Sequence, residues 1–216
     1  MTEAFTRQPC DAVLCDLDGV IRFFDHAEVI RLERDAGLTA GSTAAAAFGP
    51  ENGTALVLGQ ITKKQWADSI ARALAERIPK ADARGLADAF TQTPVWVDPI
   101  AVALLREARE HCTVVLVTNA TTWLDDDLAQ LGIADLADDV VNSARVGSAK
   151  PDARIYEIAA ERARATPDRC LFVDDRQANV ETAVRLGMAG VLYRDSEDLR
   201  ESLRRFCPTA NRHSTD

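Results

Sequence analysis

The chain has 216 residues, of which 47% are hydrophobic and 27% charged, a size and composition that suit one globular domain with a modest insertion. Its formal net charge of −9 excludes nucleic acid as the main partner, because phosphate backbones recruit basic surfaces, yet leaves a small anionic substrate open. No apolar run is long enough to cross a bilayer, so no membrane partner is expected, and Met1–Cys10 lacks the basic start and apolar core of a signal peptide; a cytoplasmic location is the default expectation.

The first strong element is Ala12-Val13-Leu14-Cys15, a short, nearly continuous apolar run that reads as a buried parallel strand ending at Asp16. The following stretch, 21–97, is too long for a loop, and its patterns are helical. Val29, Ile30, Glu33 and Ala36 give a partial apolar stripe, and Gly49-Pro50-Glu51-Asn52-Gly53 reads as a turn. Thr62-Lys63-Lys64-Gln65 fits a capping box, after which Trp66, Ile70 and Leu74 recur every four residues; Leu86 and Phe90 continue the theme.

Asp98-Pro99 predicts a helix start, followed by a strand over Thr113–Val117 ending in Thr118-Asn119. Leu124, Leu128 and Leu131 predict a helix closed by Gly132, and Val140-Val141 a weaker strand. Pro151 is expected to open a helix through Ile155, Ile158 and Ala159. Cys170–Val173 predicts a strand ending in Asp174-Asp175, Val180 to Gly187 a helix, Gly190–Tyr193 a strand, and Asp195–Asp198 the start of the last helix. The polar tail from Cys207 to Asp216 is expected to be mobile. Alternating strands and helices imply a Rossmann-like α/β core, a parallel sheet covered on both faces, with ligands beyond the carboxyl ends of the strands. Three of the five strands end there in polar residues.

Those ends carry four motifs: Asp16-Leu17-Asp18-Gly19-Val20, Val117-Thr118-Asn119, Ser148-Ala149-Lys150-Pro151-Asp152, and Phe172-Val173-Asp174-Asp175-Arg176 followed by Asn179. Gathering Asp16, Asp18, Asp174 and Asp175 in one crevice requires compensating positive charge. A magnesium ion together with Lys150 would supply most of it, and magnesium favours all-oxygen ligands shared with a substrate phosphate. The cysteines (Cys10, Cys15, Cys112, Cys170, Cys207) form no C-x-x-C pair, and His26, His111 and His213 lie far apart, so a zinc site is not expected.

In order and spacing the four motifs resemble those of the haloacid dehalogenase superfamily, specifically its phosphatase-like members, over roughly Cys10 to Phe206. The resemblance implies a core of residues 1–20 and 98–216 with a helical cap at 21–97. It implies that Asp16 is the nucleophile, forming an aspartyl-phosphate, and that Asp18 is the general acid–base. Thr118, Asn119 and Lys150 would bind the substrate phosphate, with Asn119 also orienting Asp16 and Lys150 neutralising both nucleophile and phosphoryl group. Asp175, with Asp174 as a second contributor, would bind Mg²⁺ together with the Asp16 side chain and the Asp18 backbone carbonyl. The substrate would be a small phosphorylated metabolite.

Asp18 favours this chemistry over dehalogenation, which requires no acid two residues after the nucleophile. A phosphonate-cleaving enzyme would need a cap lysine, and Lys63, Lys64 and Lys80 read as exposed helix residues. A sugar phosphomutase remains the closest enzymatic rival, and a catalytically silent binding module is the rival of another class. Arg22, Asn142, Arg176 and Asn179 have equally good structural explanations. His26 reads as a surface residue, and Trp66 and Trp123 as packing residues. Segment 47–60 is the candidate for substrate selection; the scarcity of polar residues in 41–59 favours a small or partly apolar substrate.

Overall fold

The computed structural model describes residues 10–50 and 52–207, so the opening nine residues, Glu51 and all of the expected mobile tail beyond Cys207 lie outside the description. Strand β1 (Ala12–Cys15) occupies the centre of a five-stranded parallel sheet. Around it stand β4 (Thr113–Thr118), β5 (Asp139–Asn142), β6 (Cys170–Asp174) and β7 (Ala189–Leu192), in the order β5-β4-β1-β6-β7. The register pairs Cys15 with Leu116 on one side and Val173 on the other, so one residue further along the chain Asp16 stands beside Asp174.

The alternating side chains of these strands are buried on both faces. Val13, Cys15, Leu116, Leu171 and Val173 pack with α6 (Pro99–Arg109), α7 (Leu124–Gln130) and α11 (Ser196–Phe206). Ala12, Leu14, Val115, Val117 and Phe172 pack against α9 (Ala153–Arg162) and α10 (Gln177–Arg185). The Asp98 carboxylate caps α6 by accepting from the Ile100 N–H (2.8 Å), with Pro99 in the first turn, as expected. At α9 the expectation is corrected: the helix opens at Ala153, capped by Asp152, because Pro151 belongs to the preceding turn.

The stretch between β1 and α6 is helical in its middle only. Its two ends, β2 (Arg22–Phe24) and β3 (Val95–Val97), form an antiparallel ribbon too short to leave a periodic pattern in sequence. Between them lie α1 (Ala27–Asp35), α2 (Ser42–Ala47), α3 (Gly53–Val57), α4 (Lys63–Leu74) and α5 (Lys80–Thr91), which share an apolar core of their own. The Thr62–Gln65 capping box opens α4, and Trp66, Ile70 and Leu74 are buried as their spacing predicts; Trp123 packs against the same cluster.

In α1 the predicted stripe is only half right. Val29 is buried, but Ile30 is 49% exposed. Glu33 is buried for a polar reason: its carboxylate accepts from the N–H groups of Gly41 (2.8 Å) and Thr43 (2.6 Å), at the start of α2 where a negative charge is favoured. The insert touches the core through α3, where the Ser143 hydroxyl at the head of α8 (Ser143–Val146) donates to the Val57 carbonyl (2.6 Å). Gly59, at φ +68°, permits this approach, since a Cβ there would lie 2.9 Å from the Ala144 carbonyl oxygen.

Candidate active site

The carboxyl ends of β1, β4 and β6 converge on the floor of a cavity of about 950 Å³, roofed by the insert. Lys150 forms the centre of this floor. Its ammonium, 5% exposed as a residue, lies 2.7 Å from Asp16 Oδ1 and 2.7 Å from Asp174 Oδ2. Burial alone would lower its pKa, but the Asp16 and Asp174 carboxylates outweigh this and hold it raised, so the lysine is charged.

Asp16 experiences the reverse balance. Burial pushes its carboxyl well above the ordinary carboxylate value; Lys150 opposes the shift, and Asp174 and Asp18 add to it. The Leu17 N–H donates to Asp16 Oδ1 (2.7 Å), leaving Oδ2 without a side-chain partner among the described residues. Asp174 is saturated by Lys150, by Asn179 Nδ2 at 2.9 and 3.1 Å, and by the Arg176 N–H at 2.8 Å. Asn179 is thereby given a definite place, and Tyr156 fixes its backbone by donating to the Asn179 carbonyl (3.1 Å).

Asn119 does not turn toward Asp16. Its side chain brackets the Lys150 backbone, Oδ1 accepting from the Lys150 N–H (2.7 Å) and Nδ2 donating to the Lys150 carbonyl (2.9 Å). Thus the polar end of β4 sets the position of the lysine, and the lysine faces the nucleophile candidate.

Asp18 stands apart from the other acids. The turn after β1 folds back through hydrogen bonds from the Arg22 N–H to the Leu17 carbonyl (2.8 Å) and from the Gly19 N–H to the Arg22 carbonyl (2.9 Å). That brings the buried Arg22 guanidinium against Asp18, with Nε to Oδ1 at 2.5 Å and Nη2 to Oδ2 at 3.0 Å, while Nη1 reaches Asp127 on α7 at 3.1 Å. This fork-to-carboxylate pair fixes Asp18 geometrically. The spacing i, i+4 contained the Arg22 contact, but an arginine there has many other uses.

The fit of a divalent cation rests on the donor set. Asp16, Asp174 and Asp175 each offer an oxygen, all within 4.8 Å of one another. The Asp175 carboxyl is raised by burial and by the neighbouring Asp174, the condition that a cation relieves. Gly19, at φ +84°, allows Asp175 to lean in: a Cβ at this position would meet Asp175 Oδ2 at 2.5 Å. All-oxygen chemistry of this kind suits magnesium. Because Asp174 is taken up by Lys150 and Asn179, the oxygens most available to an ion are those of Asp16 and Asp175.

Two buried hydroxyls complete the floor. Thr118 Oγ1 and Ser148 Oγ line the cavity and have no hydrogen-bond partner among the described residues, an arrangement that a ligand oxygen would satisfy. Ser148 belongs to the Lys150 motif, yet nothing in its residue type distinguishes it from a surface serine. His26 is corrected from surface residue to cavity wall, half-buried and stacked between Phe24 and Phe90.

The family model of haloacid dehalogenase-like hydrolases matches residues 10–187. Among curated proteins, the chain is 28% identical over 214 residues to rat bifunctional epoxide hydrolase 2, covering 90% of this chain and 38% of the relative. It is 35% identical over 108 residues to a phosphatase of Mycobacterium tuberculosis, covering 49% of this chain and 50% of that protein. The chain therefore spans half or less of the length of these two relatives. In fold it matches a haloacid dehalogenase-family enzyme of Bacteroides thetaiotaomicron, solved with magnesium and inorganic phosphate, at a TM-score of 0.64 and 20% identity, covering 83% of this chain and 92% of the other. With the acids, lysine and hydroxyls gathered at the strand ends and the family model covering most of the sequence, the chain belongs to the haloacid dehalogenase-like hydrolases.

Proposed function

We propose that the protein is a magnesium-dependent phosphatase that hydrolyses a small phosphomonoester through an aspartyl-phosphate on Asp16. The observation that carries this reading is Lys150, buried and equidistant from Asp16 and Asp174, beside the unpartnered hydroxyls of Thr118 and Ser148. The relative from Mycobacterium tuberculosis, itself named a phosphatase, supports the same class.

Asp16 and Asp175, with Asp174 behind them, would hold the ion, which when bound offsets the negative charge of the phosphoryl oxygens. Asp16 Oδ2 attacks phosphorus. An O–P bond forms to Asp16 as the P–O bond to the alcohol breaks, and Asp18, released from Arg22 and protonated from solvent before the step, gives that proton to the departing oxygen. Lys150 neutralises the nucleophile, and the Thr118 and Ser148 hydroxyls donate to phosphoryl oxygens, the positioning and charge stabilisation on which phosphoryl transfer depends. A water then attacks phosphorus and gives its proton to the Asp18 carboxylate, releasing inorganic phosphate and restoring Asp16. For these proton transfers the Asp18–Arg22 pair separates, leaving Arg22 on Asp127. The helical insert acts as the cap that excludes bulk water.

A phosphate-release screen over a broad panel of phosphomonoesters, with and without Mg²⁺, tests the proposal. It expects turnover of an aryl phosphate that stops on chelation of the metal. No release from any ester would instead favour a binding module built on this fold.

A further inference from the structure

The cavity is far larger than a phosphate group, and the part of its wall supplied by the helical insert is mainly apolar and carries no charged side chain among the described residues. Phe48, just after α2, and Phe24, at the end of β2, both line it and are 57% and 38% exposed. Phenyl rings so placed forfeit the stabilisation that burial brings and mark a surface meant to be covered. Val57 and Leu58 continue the wall, and among the described residues no Asp, Glu, Lys or Arg of the insert lines the cavity.

The rings are held in place. Phe48 lies 5.8 Å from Trp66 and 5.9 Å from Phe90, and Trp66 Nε1 donates to the Ala47 carbonyl (2.9 Å), pinning the backbone just before Phe48. Phe24 stacks on His26 (6.0 Å, 10°), which stacks on Phe90 (5.5 Å, 10°). A wall already ordered in this way loses little conformational entropy on contact with a ligand.

Resting on the phosphatase reading, we infer that the substrate is the monophosphate of an uncharged, mainly hydrocarbon alcohol. Its carbon body lies against Phe24, Phe48 and Leu58 while its phosphate sits over Asp16. A polyol or a nucleotide fits poorly, because His26 and Thr54 are the only polar side chains the described insert residues bring to the cavity. The hydroxyls or charges of such a substrate that face the insert would lose water without gaining partners.

The test is a series of primary alkyl monophosphates, ethyl to octyl, against glucose 6-phosphate with the magnesium-loaded protein; all share a primary alcohol as leaving group. The expected result is a kcat/KM that rises about two- to fourfold per methylene until the cavity is filled. Hexyl phosphate should exceed glucose 6-phosphate by at least about tenfold. Phe48→Ala and, separately, Phe24→Ala should each reduce the hexyl-to-ethyl ratio severalfold. A flat series, a preference for the sugar phosphate, or ratios unchanged in both variants would overturn the inference. If no ester is turned over, and acetyl phosphate, an activated acyl phosphate, is not hydrolysed either, the phosphatase reading fails. Calorimetric titration with hexyl phosphate and glucose 6-phosphate then still decides the inference, equal affinities overturning it.

Discussion

Lys150 holds two carboxylates out of water, so its removal has a cost beyond catalysis. Lys150→Ala leaves Asp16 and Asp174 buried without their cation, and a loss of about 3–5 kcal/mol in urea unfolding is expected. Asp16→Asn removes one of the charges instead. It should retain the far-ultraviolet circular dichroism of the wild type while losing phosphatase activity by roughly a thousandfold or more. The raised Asp16 carboxyl sets a pH dependence of known sign. The folded protein holds this proton more tightly than the unfolded chain, so its contribution to stability in the metal-free protein is present at acid pH and is lost as pH climbs from the ordinary carboxylate range through the raised value. A cation needs the same oxygens deprotonated, so magnesium affinity measured by calorimetry should tighten across that window and then level off. An affinity that does not depend on pH there would contradict the assignment of Asp16 as a ligand. At this scale the strand-end motifs made the acids and the lysine legible. The Asp18–Arg22 fork, the Asn119 bracket on Lys150 and the idle hydroxyl of Ser148 were not, because each depends on a side-chain direction that residue type does not encode.

Among the elements, legibility followed periodicity. The buried strands β1, β4 and β6 are continuous apolar runs, and α4 announces itself by its capping box and four-residue spacing. Thr62→Ala should therefore cost about 1 kcal/mol of stability, seen in a thermal melt, without altering the site. The ribbon β2–β3 escaped notice because three residues per strand cannot show alternation. In α1 the expected stripe fails at Ile30, which faces outward, while Glu33 keeps its buried place because two backbone N–H groups bond its carboxylate. Gly59 lies where α3 meets α8, at a positive φ with the Ala144 backbone close by. Gly59→Ala should loosen this contact, and the expected readout is a raised KM with unchanged helix content; an unchanged KM would mean that the contact plays no part in covering the substrate.

For the whole molecule, the sheet brings residues far apart in the sequence together at the carboxyl ends of its central strands, and a bound cation should tie them together. Magnesium at a hundred times its Kd should add about 2.7 kcal/mol and raise Tm, an effect that Asp175→Asn should abolish. The account depends most on a phosphoryl group passing through Asp16, and that step can be observed directly. With an aryl phosphate, whose leaving group departs without a proton, Asp18→Asn slows mainly the second step, so rapid acid quenching of this variant with magnesium and such an ester, followed by peptide mass spectrometry, should find a phosphoryl adduct on Asp16. Turnover that leaves no adduct on that residue and persists undiminished in Asp16→Asn would contradict it.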